Sequence, residues 1–134
     1  MLEFLALPYW RHKEKLAHKH EQEIKEKCEL TEKQLDKIAH YRFNAWVMSV
    51  RAQKELDNLK KAASQSDLAT NKAYEEASKR LSNARHAIAI AHKAKKRVLS
   101  ERESLQKELD SIQQEVVAIT SHIQSLQENR DNAD

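Results

Sequence analysis

Seven histidines, one cysteine and 21 acidic side chains are the groups in this chain that could do chemistry. "HEQEI", residues 20–24, begins like the zinc-protease helix motif, but Ile24 stands where the second histidine belongs. A metal site needs three or four converging ligands held by a further shell of hydrogen bonds, and no such spacing occurs. Glycine is absent. A P-loop, a dinucleotide-binding loop and a nucleophile elbow all depend on glycine, so none is expected. The carboxylates are scattered over polar positions and imply no cleft. Cys28 has no partner for an internal disulfide. It sits where a buried helical residue belongs, which fits a structural thiol in a reducing compartment. The expectation is a non-enzymatic protein with no metal and no cofactor.

Two other constellations remain, one basic and one apolar. Residues 79–102 carry Lys79, Arg80, Arg85, Lys93, Lys95, Lys96, Arg97 and Arg102 against Glu101 alone. Arg85, Lys93, Lys96 and Arg97 are the centre of this belt. It could meet phosphate backbones, although no aromatics interleave with it as single-strand stacking requires. A solvated helix face is the commoner reason for such a run, so nucleic acid is not the expected partner. The whole chain is a mixed polyampholyte, with net charge +3 and 34% charged residues. The apolar constellation is "FNAWVMSV", residues 43–50, set within a chain of mean hydropathy −0.87. Tyr41, Phe43, Trp46 and Val50 are its candidate partner-binding residues. They either lie in a core, under a third helix or within a homodimer, or dock a partner.

The elements that position these groups are helices. Pro8 is the only proline, and helix-forming Ala, Leu, Lys, Glu, Gln and Arg dominate. From Tyr74, alternating steps of three and four residues reach Ala77, Leu81, Ala84, Ile88 and Ala91, and continue from Val98 to Leu126. Only Lys95 and Arg102 interrupt this apolar stripe, the mark of a coiled coil. Ile24, Cys28, Thr31, Leu35, Ile38, Ala45, Ala52, Leu56, Leu59 and Ala63 form a weaker stripe, broken at Arg42 and Ser49. Pro8 suits a first helical turn. Helix one is therefore expected over about residues 9–63 and helix two over about 71–130, the latter roughly 90 Å long.

Between the stripes, "SQSDLATN" (64–71) gathers residues that favour caps and turns. Ser66, Asp67, Thr70 or Asn71 could each cap helix two. One continuous helix is the alternative, but a single helix cannot bury its own stripe. The expected fold is thus all-α, a long antiparallel two-helix coiled-coil hairpin with its turn near residues 64–71. Residues 1–10 form an apolar N-terminal arm and 11–134 a single hairpin domain. A turn centred near Ser66 pairs residue i with about 133 − i. Leu56 then meets Ala77, Cys28 meets Leu105, and Ile24 meets Leu109. His12 approaches His122, and His40 approaches His92. Residues 43–50 fall opposite the alanine-rich "ARHAIAIAHKA", so large side chains are expected to fill space left by small ones. Ala39, Phe43, Trp46 and Val50 make a second stripe that a two-helix seam does not need. Leu2, Phe4, Leu5, Leu7 and Trp10 should lie near Ile123 and Leu126 and cap the open end or insert into a partner. "MLEFLAL" is too short and too acidic for a signal peptide, and no apolar run is long enough to span a membrane.

With these residues in view, the chain resembles the small coiled-coil stalk proteins of type III secretion and flagellar export, the FliJ/YscO type. "LEFLALPYWRHKEKLAHK" is similar to their short apolar start followed by a basic helix. "HYRFNAW" (40–46) falls where such members carry a Tyr and a Trp, and "ARHAIAIAHKAKKR" is similar to their second helix. Tyr41 and Trp46 are further apart than in those members, and Val47 and Met48 replace an acidic pair. The resemblance implies a cytoplasmic protein, or one peripheral to the cytoplasmic face of the apparatus, whose hairpin ends insert into a hexameric export ATPase. It also implies contacts with the export gate protein and secretion chaperones. Trp10, Arg11, Lys13, Lys15, Ile123 and Leu126 would then meet the ATPase, and the middle patch would meet the gate or a chaperone. The readings beside it are a generic coiled-coil dimerisation or scaffold protein and a nucleic-acid-associated protein using the belt 79–102.

Overall fold

The computed structural model describes the backbone of residues 2–62 and 68–133 and the side chains of residues 6–62 and 70–132. Two helices account for all of it: α1, Leu2–Ala62, and α2, Leu68–Ala133. No strand occurs among the described residues. Of these, no helix is long and apolar enough to cross a membrane. The helices pack against each other as a helical hairpin, and the reason lies in the seven-residue apolar repeat. Neither helix can bury its stripe alone, whereas each covers the stripe of the other. Packing divides the chain into two compact units, one of Met1–Glu32 with Ser100–Asp134 and one of Lys33–Leu99.

In the first unit the core is Leu7, Ala17, Ile24, Ile112, Ile119 and Ile123, with Trp10, Cys28, Leu109, Val116 and Leu126 packed around it. Cross-helix polar contacts give the direction. Glu32 pairs with Arg102 at 3.9 Å, His20 lies 3.8 Å from Glu108, and the Thr120 hydroxyl donates to Glu14 at 3.4 Å. Positions fall along α1 as they rise along α2, so this unit is antiparallel. In the second unit Ala52, Leu56, Ala77 and Leu81 form a core, with Leu59 against it. Arg80 donates to Glu55 at 2.8 Å and Arg85 to Gln53 at 3.4 Å, again antiparallel. Leu56 and Ala77 share this core, as the 133 − i register requires.

Four expectations need correction. α1 begins at Leu2, not near residue 9, and Pro8 lies inside it. Leu7 and Trp10 bury apolar surface against α2, which holds the chain helical through a residue that cannot donate to the carbonyl four positions earlier. α2 begins at Leu68, so Thr70 and Asn71 are within the helix and do not cap it. Tyr74 is exposed and the buried seam starts at Ala77. Large side chains do not fill alanine space: buried Ala45 and Ala52 serve α1 and buried Ala84 and Ala91 serve α2, while Phe43, Trp46, Met48 and Val50 are exposed. Small residues on both sides let two helices approach closely and leave no room for an aromatic between them. The turn expected at 64–71, its cap candidates Ser66 and Asp67, and Ala63 lie outside the described residues, apart from the part taken into α2. So do the side chains of Leu2, Phe4 and Leu5.

The two breaks in the α1 stripe and the two in α2 have separate accommodations. Ser49, half-buried, donates to the Trp46 carbonyl at 2.6 Å, a bond within its own helix. Arg102 reaches outward to Glu32. Arg42 and Lys95 are exposed, and half-buried Ala94 flanks the seam beside Lys95.

Candidate partner-binding surface

The middle patch belongs wholly to the 33–99 unit. On α1, Phe43, Trp46 and Val50 follow one another at steps of three and four, so they share a face. Phe43 is 61% exposed and Trp46 is 54% exposed. Their rings sit 6.2 Å apart with an interplanar angle of 34°, a side-by-side pair that shields only part of either ring. Half-buried Val47 lies within the same face. Covering the open half of Phe43, Trp46 and Val50 would contribute about 1–2 kcal/mol each. Tyr41 is exposed too, but it lies two residues before Phe43 and so projects to a different side of the helix. The structure brings Phe43, Trp46 and Val50 together and separates Tyr41 from them.

The hydrogen bond between Arg85 and Gln53 fixes which side of α2 borders that face. Trp46 stands seven residues before Gln53, and His92 stands seven after Arg85. Each step of seven returns to nearly the same side of a helix. The antiparallel register therefore sets Trp46 beside His92 and Ala39 beside Leu99. Phe43 and Val50 extend the face outward on α1; Ala89 and Lys96 extend it on α2. Leu99 is itself an exposed apolar residue. The result is a shallow interhelical groove, apolar along α1 and basic along α2. Tyr41 and Met48 occupy the opposite side, in line with Glu55, whose carboxylate holds Arg80.

The belt residues Arg85, Lys93, Lys96 and Arg97 are all exposed. Reading α2 alone understates their setting. Residues 37–54 of α1 include four Lys or Arg, residues 77–99 of α2 include seven, and neither stretch contains an Asp or Glu. The register places these two stretches side by side. Sequence inspection of one helix at a time does not find this zone; folding the acid-free stretch of α1 onto that of α2 does. Among the described residues, the one cross-helix ion pair of this unit, Arg80 with Glu55, stands at the border of the zone.

The candidate residues of the other end fall within the first unit. Ile123 is buried, and Trp10 and Leu126 are half-buried around the same core. Trp10 meets His122 edge-on, with ring centroids 4.4 Å apart. Lys13 holds its ammonium 5.2 Å from the Tyr9 ring and 5.1 Å from the Trp10 ring, a cation–π arrangement on two aromatics. Arg11, Lys13 and Lys15 are exposed. Of these six residues, the three basic ones are therefore open to a partner, while Trp10, Ile123 and Leu126 hold the helices together. Cys28 is half-buried against that core. Among the described residues, no group of three His, Cys, Asp or Glu side chains converges as metal ligands would. No family model matches the chain, and no curated protein or solved structure matches it either.

Proposed function

We propose that this chain is a non-enzymatic helical-hairpin adaptor that works by binding other proteins, and more specifically a stalk of a type III export apparatus. The observation that carries the adaptor reading is the Phe43–Trp46–Val50 face. The hairpin seam is already closed by alanines, so this apolar face serves nothing within its own unit. A soluble surface that keeps two neighbouring aromatics half-exposed marks a place where something else packs.

The stalk reading rests on the resemblance of "HYRFNAW" and the basic N-terminal helix to the FliJ/YscO type. On it, Arg11, Lys13 and Lys15 contact a hexameric export ATPase, and the Trp46 face contacts the export gate or a secretion chaperone. The protein works at the cytoplasmic face of the apparatus and couples its parts mechanically. The test is to add the chain to the matching export ATPase and follow hexamer assembly and turnover. Binding should weaken at least about tenfold, or 1.4 kcal/mol, in the double variant Arg11→Glu, Lys15→Glu and hardly change in Lys60→Glu. Absence of any effect on assembly or turnover would sink the stalk reading and leave the adaptor reading standing. The breadth of the apolar face also supports a second reading, a self-associating scaffold, and the solution mass of the chain separates the two.

A further inference from the structure

We propose that the groove beside Trp46 receives an acidic amphipathic helix of a partner protein. This inference rests on the adaptor reading of the face, and not on the apparatus to which the protein belongs. Three observations carry it. First, the apolar positions Ala39, Phe43, Trp46, Val47 and Val50 recur at the spacing of one helical face over about three turns. That length fits a short helix laid alongside α1. Second, the far wall of the groove is Arg85, Ala89, His92, Lys96 and Leu99, so an occupant seated on Trp46 presents its polar edge to cationic groups. Third, the surrounding stretches 37–54 and 77–99 contain no carboxylate to neutralise them. A partner supplying Asp and Glu would complete both the apolar and the charged halves of the surface.

The same charge disfavours a second copy of the chain, and the layout of the surface disfavours the anionic alternatives. A second copy docked symmetrically through Trp46 would set this basic zone against itself. Nucleic acid would find cations, but the two rings of the surface, Phe43 and Trp46, both stand on α1, and no Phe, Tyr or Trp interleaves with the cations of residues 77–99 as single-strand stacking requires. An anionic lipid surface would use the charge and the apolar face of α1, but the basic wall that α2 sets beside that face fits a helix lying along the groove better than a flat surface.

The experiment titrates the full chain with three labelled synthetic helices of about 18 residues, or five turns. All carry the same leucine face, and their polar face is glutamate, glutamine or lysine. At low salt the glutamate peptide should bind at least about tenfold more tightly than the lysine peptide, with the gap narrowing as salt rises. Trp46→Ser should weaken it about tenfold or more, and the pair Arg85→Glu, Lys96→Glu should invert the preference between peptides. Equal binding of the three peptides overturns the acidic partner while leaving Trp46 a docking residue. No binding of any peptide, or binding indifferent to Trp46→Ser, overturns the docking surface as well. Tighter binding of single-stranded or duplex oligonucleotide, or of phosphatidylserine vesicles, than of the glutamate peptide also overturns the proposal. So does dimerisation through Trp46 at low salt.

Discussion

Thr31 and Ile24 stand seven residues apart on the same row of α1 and are 2% and 1% exposed. One is polar and one is not, and the fold accommodates the hydroxyl locally. Thr31 Oγ1 donates to the Cys28 carbonyl at 2.6 Å, one turn back in its own helix. A buried donor satisfied in this way contributes little net stability but costs little to keep. Replacing Thr31 by Val should therefore change stability by no more than about 1 kcal/mol in either direction. Replacing Ile24 by Ala removes a whole buried side chain and should cost about 2–5 kcal/mol. Urea unfolding of both variants, followed by circular dichroism, compares them directly. Equal losses would mean that the Thr31 hydroxyl has a role across the seam. Both residues were legible in the sequence, because the step of seven places Thr31 in the stripe whatever its polarity.

At the scale of the helices, the seam was legible and the ends were not. The heptad positions of α2 from Ala77 to Leu126 are buried or half-buried wherever they are apolar, because burial follows from period alone. The start of α1 depends on a competition that sequence does not weigh. Pro8 prefers a first turn, but Leu7 and Trp10 gain from packing on α2, and packing wins. The start of α2 was misplaced for a similar reason. Several adjacent residues of "SDLATN" can cap a helix, and local chemistry does not choose among them. The side of α1 on which Trp46 falls was legible as a second stripe, whereas its neighbours on α2 required the register. Pro8→Ala restores a backbone donor inside α1 and removes a ring clash, so it should stabilise the protein by up to about 3 kcal/mol and raise helix content. Thermal unfolding at 222 nm reads both quantities. No change in either would mean that Pro8 imposes no cost on α1.

Across the whole molecule, charge is arranged differently in the two units, and this bears on self-association. The unit of Met1–Glu32 and Ser100–Asp134 pairs charges between helices, through Glu32 with Arg102. Such exposed pairs contribute roughly 0–1 kcal/mol each, so they set pairing preference more than stability. Among the described residues, the unit of Lys33–Leu99 has one such cross-helix pair, Arg80 with Glu55, and sets its other cations around an exposed aromatic face. Apolar area there favours association, and like charge opposes it. Salt discriminates between the two terms, since it screens exposed charges over a Debye length of about 10 Å at 0.1 M and about 3 Å at 1 M. The chain should therefore sediment as a monomer at low ionic strength and show a concentration-dependent mass increase near 1 M salt. Trp46→Ser should abolish that increase, whereas Leu30→Ser, at another exposed apolar site in the other unit, should not. A dimer that forms at low salt and dissociates as salt rises would reverse the argument, because attraction between unlike charges would then be holding the copies together.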